Sequence, residues 1–262
     1  MATQGGLINM DKRLGAQMYT VRSACKTLEG FDEACRKVKE IGYKLVQLSG
    51  IGAFNPEDIK KVLDKHGLEA VCTHRPFLNY FEKMDKEIDY HKTIGCKICG
   101  LGGMPNYAAR DDNIAIVAKV LGPICEELKE AGLTFAYHNH AFEFEKKGDR
   151  YAWDVFLEKV GSDNLKLILD VYWLAHAGIN PAKFIRDNKG RIACVHLKDK
   201  KIVNNEALMC EVGKGNLDWD DILAACEEAG VEYALVEQDT CETDPFDCLK
   251  TSYEFLKQKG FE

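Results

Sequence analysis

Three apolar segments of the sequence each end in a side chain that can bind a metal ion. Asp170, His196 and Glu237 are each the first polar residue after a short unbroken apolar run. Such a run is typical of a strand buried on both faces, so each polar group stands where the core stops. Two carboxylates and an imidazole form a mixed oxygen and nitrogen donor set, which suits Mn²⁺, Co²⁺, Zn²⁺ or Fe²⁺. The pattern predicts one divalent-metal site, provided that these strand ends meet.

A repeated unit along the chain provides the elements that could bring them together. An amphipathic helix ends in glycine and an apolar strand follows, with the glycines at Gly42, Gly67, Gly95, Gly132 and Gly230. Glycine tolerates the left-handed conformation that ends a helix, and the apolar strand then enters a buried sheet. The predicted strands are Leu14–Tyr19, Tyr43–Leu48, Leu68–His74, Cys96–Gly100, Leu133–His140, Leu165–Asp170, Arg191–His196 and Val231–Glu237. The predicted helices are Phe31–Ile41, Pro56–Lys65, Glu82–Ile94, Asn113–Ala131, Tyr151–Val160, Pro181–Asp187, Trp219–Ala229 and Pro245–Lys257.

Regular alternation of strand and helix predicts an α/β protein with a (β/α)₈ TIM barrel as its fold. An open doubly wound sheet is the competing topology, but it usually has a glycine-rich phosphate loop after its first strand. Residues Gln17–Arg22 form no such loop. We therefore expect residues 1–262 to form a single barrel domain, with residues 1–12 as a disordered lead-in.

Composition narrows the class of function. The net charge of −7 argues against a nucleic-acid partner, because affinity for a phosphate backbone comes from Lys- and Arg-rich surfaces. No run of about 18 apolar residues and no signal-peptide pattern occurs, so no membrane partner is expected. The 11 cysteines are scattered through apolar runs, which favours reduced thiols in a cytoplasmic protein. Composition leaves homo-oligomerisation open.

Further candidates lie at the same predicted strand ends, where parallel barrels place their chemistry. Gln17, Gln47, His74 and Trp173 are candidate substrate-binding residues, through hydrogen bonds to hydroxyl groups or stacking on a ring. Glu237, His138, His140 and Lys198 are candidate catalytic residues. The imidazoles and Glu237 could transfer protons, and Lys198 could meet an anionic oxygen. Each of them could also be a solvated or packed side chain.

Four sequence motifs carry a resemblance that runs nearly the whole length of the chain. They are Tyr137–Phe144 (YHNHAFEF), Leu169–Trp173 (LDVYW), His196–Asp199 (HLKD) and Val212–Trp219 (VGKGNLDW). Together they resemble the sugar phosphate isomerase/epimerase family of xylose isomerase-like TIM barrels, which also contains inosose dehydratases and ketose 3-epimerases. The resemblance implies an enzyme of carbohydrate metabolism that acts on a sugar or sugar phosphate with one bound divalent metal ion, Mn²⁺ first, with Zn²⁺, Co²⁺ or Fe²⁺ as alternatives.

The same resemblance implies a ligand set of Glu, Asp, His and Glu from consecutive late strands. By position, the last three are Asp170, His196 and Glu237. The first Glu has no direct counterpart, because the fifth strand ends in Tyr137-His138-Asn139-His140. Glu143 is our expected fourth ligand, since a third anionic oxygen suits a hard divalent ion. A strand-five imidazole is the alternative.

The expected chemistry is proton abstraction next to a carbonyl, through an enediolate that the metal stabilises. Isomerisation or epimerisation is the main expectation. Dehydration of a keto sugar or an inosose in the same pocket is the alternative. A phosphodiesterase activity like that of endonuclease IV is a further alternative, which would need more ligands and a basic surface.

Overall fold

Eight parallel strands close into a barrel in the computed structural model, which describes residues 12–104 and 111–262. The strands are β1 (Gly15–Gln17), β2 (Leu45–Leu48), β3 (Glu69–Thr73), β4 (Ile98–Leu101), β5 (Thr134–His138), β6 (Lys166–Asp170), β7 (Ile192–Leu197) and β8 (Tyr233–Val236). Each strand pairs with its neighbours in chain order, and β1 pairs with β8. The predicted (β/α)₈ barrel is confirmed. The predicted lead-in lies outside the described residues up to position 11, and the Lys12 carbonyl accepts a hydrogen bond from the Glu262 backbone N–H.

Helices follow the strands, as the periodicity predicts. They are α1 (Leu28–Ile41), α2 (Pro56–His66), α3 (Phe77–Glu82), α4 (Met84–Ile94), α5 (Asp111–Glu130), α6 (Ala152–Val160), α7 (Val171–His176), α8 (Pro181–Asp187), α9 (Trp219–Ala229) and α10 (Pro245–Gln258). Two of these helices differ from the sequence-based expectation. The helix predicted to begin at Glu82 is preceded by the short helix α3, and α7 was not predicted because it directly follows β6.

Local sequence accounts for where the helices begin and end. Asn180 caps α8 by accepting a hydrogen bond from the Lys183 N–H at 2.8 Å, and Pro181 fills the first turn. Gly67 ends α2 with φ of 60°, in the left-handed region that residues with a Cβ avoid. The chain can therefore turn from helix α2 into strand β3 within two residues.

The core has two layers. Inside the barrel, apolar side chains from alternate strand positions pack together, including Leu45, Cys72, Ile168 and Leu235. A larger layer fills the space between strands and helices. All 11 cysteines are free and ten are buried, as expected for reduced thiols in a core. No helix among the described residues is long and apolar enough to cross a membrane.

A β-hairpin leaves the barrel directly after β7 and was not predicted. Residues Asp199–Val203 pair antiparallel with Glu206–Cys210. The Asp199 carboxylate fixes the base of the hairpin by accepting hydrogen bonds from the backbone N–H groups of Gly213 and Gly215 and from the indole N–H of Trp219. Lys198, between β7 and the hairpin, is therefore held at the barrel mouth.

Candidate metal centre

Four buried side chains converge at the carboxyl ends of adjacent strands. His138 ends β5, Asp170 ends β6, His196 lies near the end of β7, and Glu237 follows β8. The sheet register pairs Asp170 with His196 and places Leu235 opposite His196, so these positions lie at similar heights in the barrel. One donor atom from each of the four lies within 4.8 Å of the others, so the cluster could hold a metal ion. Three of its members are the residues singled out from the sequence.

The His196 ring is oriented by a buried glutamine. Its Nε2 lies 2.6 Å from Oε1 of Gln47, so Nε2–H donates and Nδ1 carries the lone pair. Nδ1 lies 3.0 Å from Glu237 Oε2 and 3.9 Å from Asp170 Oδ2, yet it has no aligned hydrogen-bond partner in the described part of the chain. A buried, unpaired nitrogen facing two carboxylate oxygens is the arrangement expected of ligands that share one ion.

His138 is oriented in the same way from the opposite side. Its Nδ1 lies 3.2 Å from the Gly102 carbonyl, which fixes the proton there. Its Nε2 then faces the cluster, 3.4 Å from Asp170 Oδ2. The position that the resemblance assigns to a glutamate is thus filled by an imidazole whose Nε2 faces the cluster.

Lys198 supplies the cluster with a positive charge. Its Nζ lies 3.2 Å from Asp170 Oδ2, 3.1 Å from Glu237 Oε2 and 2.9 Å from Asp239 Oδ2. Burial alone would raise the pKa values of the Asp170 and Glu237 carboxyls, but the ammonium outweighs it and holds both below their ordinary values. Burial would lower the pKa of Lys198, but the carboxylates raise it above its ordinary value. Both carboxylates are therefore ionised and Lys198 is protonated.

Glu143 does not join the cluster, contrary to the expectation that it is the fourth ligand. A short 3₁₀ turn, Phe142–Phe144, folds its carboxyl group back toward strand β5. There its oxygens accept hydrogen bonds from the Tyr137 hydroxyl at 2.7 Å and the His140 backbone N–H at 2.8 Å. Burial raises its pKa to about 7 in spite of these two donors. Both oxygens are used to hold the loop, and His138 lies beside the other three residues instead.

A cavity of about 570 Å³ opens above the cluster. His74, His140, Trp173, Lys198 and Glu237 all line it, and their substrate-binding or catalytic roles stay predictions. Burial, followed by the neighbouring His138, lowers the pKa of His140 to about 3 and holds the pKa of His74 well below its usual value. Both imidazoles are therefore neutral near pH 7. The His74 Nε2 and Trp173 Nε1 atoms have no protein hydrogen-bond partner within the described ranges, so they are available to a ligand.

Gln17 and Gln47 do not line the cavity, contrary to the expectation that they bind substrate. Both are completely buried in the barrel. Gln17 Oε1 accepts a hydrogen bond from the Tyr19 backbone N–H, and Gln47 orients His196. Side chains of a strand alternate between its faces, and at these positions the inward face lies below the mouth.

Two residues of the site were missed by sequence reasoning. Asp239 is the third anionic partner of Lys198, and Asn139 Oδ1 accepts the Asp170 backbone N–H at 2.9 Å. The position of Asp239, two residues beyond Glu237, was the only local signal for it. Asn139 lies between two histidines, and the sequence around it gave no signal of its role.

Comparison with known proteins agrees with this architecture. A curated inosose dehydratase from Geobacillus kaustophilus is 22% identical, over 86% of each chain. The structure of a sugar phosphate isomerase/epimerase from Parabacteroides distasonis superposes with a TM-score of 0.76 at 20% identity, covering 100% of this chain and 98% of that one. The structure of a probable 3-DHS dehydratase from Bacillus anthracis has a TM-score of 0.72 at 15% identity, with 94% and 98% covered. At these identities the two structures establish the fold alone.

The family assignment comes from the sequence profile, which covers most of the barrel. Residues 35–259 match the xylose isomerase-like TIM barrel family, a stretch that includes every member of the buried cluster. The chain belongs to the xylose isomerase-like TIM barrel family.

Proposed function

We propose that this protein is a metal-dependent lyase that removes the proton next to the carbonyl of a small polyhydroxylated ketone and eliminates water from it. The observation that carries the proposal is the cluster of His138, Asp170, His196 and Glu237 at the floor of a cavity that suits a sugar-sized molecule. Isomerisation of such a ketone is the second candidate.

The donor set fits a divalent ion. The other ring nitrogens of the two imidazoles face Gln47 and Gly102 as hydrogen-bond donors, which leaves Nδ1 of His196 and Nε2 of His138 to serve as metal ligands. Two nitrogen and two oxygen donors make Zn²⁺, Co²⁺ and Fe²⁺ at least as suitable as the Mn²⁺ that the resemblance implies. When bound, the ion would polarise the substrate carbonyl and stabilise the negative charge that forms on its oxygen.

The protein's own groups supply the proton transfers. Glu237 lines the cavity and is ionised, so its carboxylate can accept the proton from the carbon next to the carbonyl. His74 and His140 are neutral imidazoles on the cavity wall, and an N–H of either can donate a hydrogen bond to the departing hydroxyl group, which leaves as water with the proton that Glu237 has taken up. The Lys198 ammonium faces the same space and favours negative charge on the reacting oxygens.

His138 favours elimination over epimerisation. In the epimerase mechanism that the resemblance implies, a glutamate on each side of the sugar carbon exchanges a proton. Here the strand-five member of that pair is His138, whose nitrogens face Gly102 and the cluster. A single carboxylate base suffices for elimination and for isomerisation. The curated relatives named inosose dehydratase support elimination from a cyclic keto polyol.

The charge of the cavity wall favours an unphosphorylated substrate. Lys198 and Arg75 are the two cations in the described lining. Lys198 is surrounded by three carboxylates, and Arg75 makes a bidentate ion pair with Glu87 at 2.8 and 2.7 Å. Neither is free to neutralise a phosphate.

The test is a substrate screen in D₂O with protein reloaded with Mn²⁺, Co²⁺, Zn²⁺ or Fe²⁺. Inososes and keto sugars are followed by NMR for deuterium incorporation and by ultraviolet absorption for an unsaturated ketone, with Asp170→Asn as the inactive control. Formation of the unsaturated product with at least one ketone is expected. Isomer formation without loss of water would favour the second candidate, and the absence of both exchange and product would contradict the proposal.

A further inference from the structure

Lys198 touches the same two oxygens that a metal ion would need. Its ammonium contacts Asp170 Oδ2 and Glu237 Oε2, and the same two oxygens lie 3.4 Å from His138 Nε2 and 3.0 Å from His196 Nδ1, respectively. The other Asp170 oxygen, Oδ1, accepts the Trp173 backbone N–H at 3.1 Å and caps helix α7. An ion that binds the cluster therefore shares Oδ2 with the ammonium.

We infer that Lys198 is an internal competitor for the metal, and that metal binding transfers its ammonium from Asp170 and Glu237 to Asp239. This inference rests on the proposed metal-dependent function. Two cations that share the same oxygens repel each other, and little water is present to screen them because Lys198 is only 1% exposed. The repulsion weakens metal binding unless the ammonium has another partner.

Asp239 is that partner. Its Oδ2 forms the shortest of the three contacts with the ammonium, at 2.9 Å, and its side chain is 25% exposed while those of Asp170 and Glu237 are almost completely buried. The ring centroids of Trp173 and Tyr172 lie 5.4 and 5.9 Å from Nζ. An anion and two aromatic faces can hold the ammonium when the ion takes the inner oxygens.

In the absence of metal, Lys198 has a clear physical role. Three carboxylates, one at the end of β6 and two just after β8, would repel one another strongly in a buried site without a counter-ion. The ammonium neutralises part of this charge, so the barrel mouth can fold before a metal ion arrives.

The inference is tested by titrating Co²⁺ into chelator-treated protein and recording its visible absorption, which reports coordination and not turnover. Lys198→Met keeps the length of the side chain and removes the charge, so it should bind Co²⁺ at least about tenfold more tightly than the wild type. Asp239→Asn leaves Lys198 without its outer partner and should bind Co²⁺ at least about threefold more weakly.

A double variant separates competition from a general effect of charge. If Asp239 acts through Lys198, then Asp239→Asn should have no further effect on Co²⁺ affinity in the Lys198→Met background. An equal effect in both backgrounds would mean that Asp239 acts on the metal directly, and it would overturn the transfer of the ammonium. Because Asp239→Asn retains Lys198, it tests the inference even if Lys198→Met fails to fold.

Two other results of the Co²⁺ titration would also decide whether Lys198 competes with the metal. If the wild type binds Co²⁺ and Lys198→Met binds it equally or more weakly, the competitor role is wrong while the metal centre stands. If neither protein binds Co²⁺, both the metal centre and the inference are wrong.

Discussion

Gln47 lies outside the cavity, yet its replacement should weaken metal binding strongly. In the native protein Gln47 Oε1 accepts the His196 Nε2–H at 2.6 Å, and this contact leaves Nδ1 unprotonated toward Asp170 and Glu237. Gln47→Leu preserves the approximate size of the side chain and removes the acceptor. The imidazole proton can then move to Nδ1, where Glu237 Oε2 lies 3.0 Å away. This shift occupies the nitrogen that would bind the ion.

The expected loss of metal affinity depends on whether the metal-free or the metal-bound variant contains an imidazole N–H without an acceptor. Without metal, the shifted proton finds an acceptor, so the free energy of unfolding should fall by only about 1 kcal/mol. With metal, the proton must return to Nε2, where it is buried without a partner at a cost of about 1–3 kcal/mol. Metal affinity should therefore fall roughly 10- to 100-fold.

Co²⁺ titration and urea unfolding of the metal-free protein measure the two quantities separately. Gln17→Leu is the matched control, because Gln17 is equally buried and pairs with Gln47 in the sheet register, yet it contacts the Tyr19 backbone and not His196. Its metal affinity should stay within about threefold of the wild-type value. Unchanged affinity in Gln47→Leu, or an equal loss in both variants, would refute the reasoning.

Five further outcomes are expected. Asp170→Asn should abolish metal binding with the fold retained, because an asparagine oxygen can still accept the Trp173 N–H that begins α7; metal analysis and circular dichroism check this. Glu143→Gln should retain metal affinity within about threefold, since Glu143 holds the loop after β5; a loss of an order of magnitude would restore it as a ligand. In the wild type the pKa of Glu143 is about 7, above its ordinary value of 4.5, so between these pH values the native state binds more protons than the unfolded state. The contribution of Glu143 to the free energy of unfolding should therefore fall as pH rises through this window. Urea unfolding at pH 5 and pH 8 should show this decline in the wild type and not in Glu143→Gln. His138→Glu should shift the ratio of Mn²⁺ to Zn²⁺ affinity toward Mn²⁺ by about tenfold or more, because an anionic oxygen replaces an imidazole nitrogen; an unchanged ratio in competition titrations would show that His138 is not a ligand. Abasic duplex DNA should bind negligibly at physiological salt, given the net charge of −7; micromolar binding in a fluorescence anisotropy assay would favour the phosphodiesterase alternative.

The fold was accessible from the sequence because its signals are local. An apolar run such as Leu167–Leu169, bounded by a helix-ending glycine or a cap residue, specifies a buried strand wherever it occurs. Once regular alternation predicts a parallel barrel, closure places all the strand ends at one mouth. Asp170, His196 and Glu237 could therefore be grouped before their distances were known.

The fourth member of the cluster depended on the tertiary structure. His138 and Glu143 are five residues apart, and both lie at or just after the end of β5. From the sequence alone, charge was the criterion for choosing the fourth ligand, and it favoured the carboxylate of Glu143. In the folded chain a 3₁₀ turn directs Glu143 to Tyr137 and the His140 backbone, while the sheet places His138 Nε2 beside Asp170.

The sequence by itself determined the barrel, its strand ends and the three ligand candidates that terminate apolar runs. Only the tertiary structure decided that Gln47 lies beneath His196 and that Lys198 lies among carboxylates from two strands, since residues 149 and up to 41 positions apart meet there. The physical reason is that periodicity and capping depend on neighbours in the chain. The direction of a lone pair or an ammonium depends instead on sheet register and on packing between distant segments.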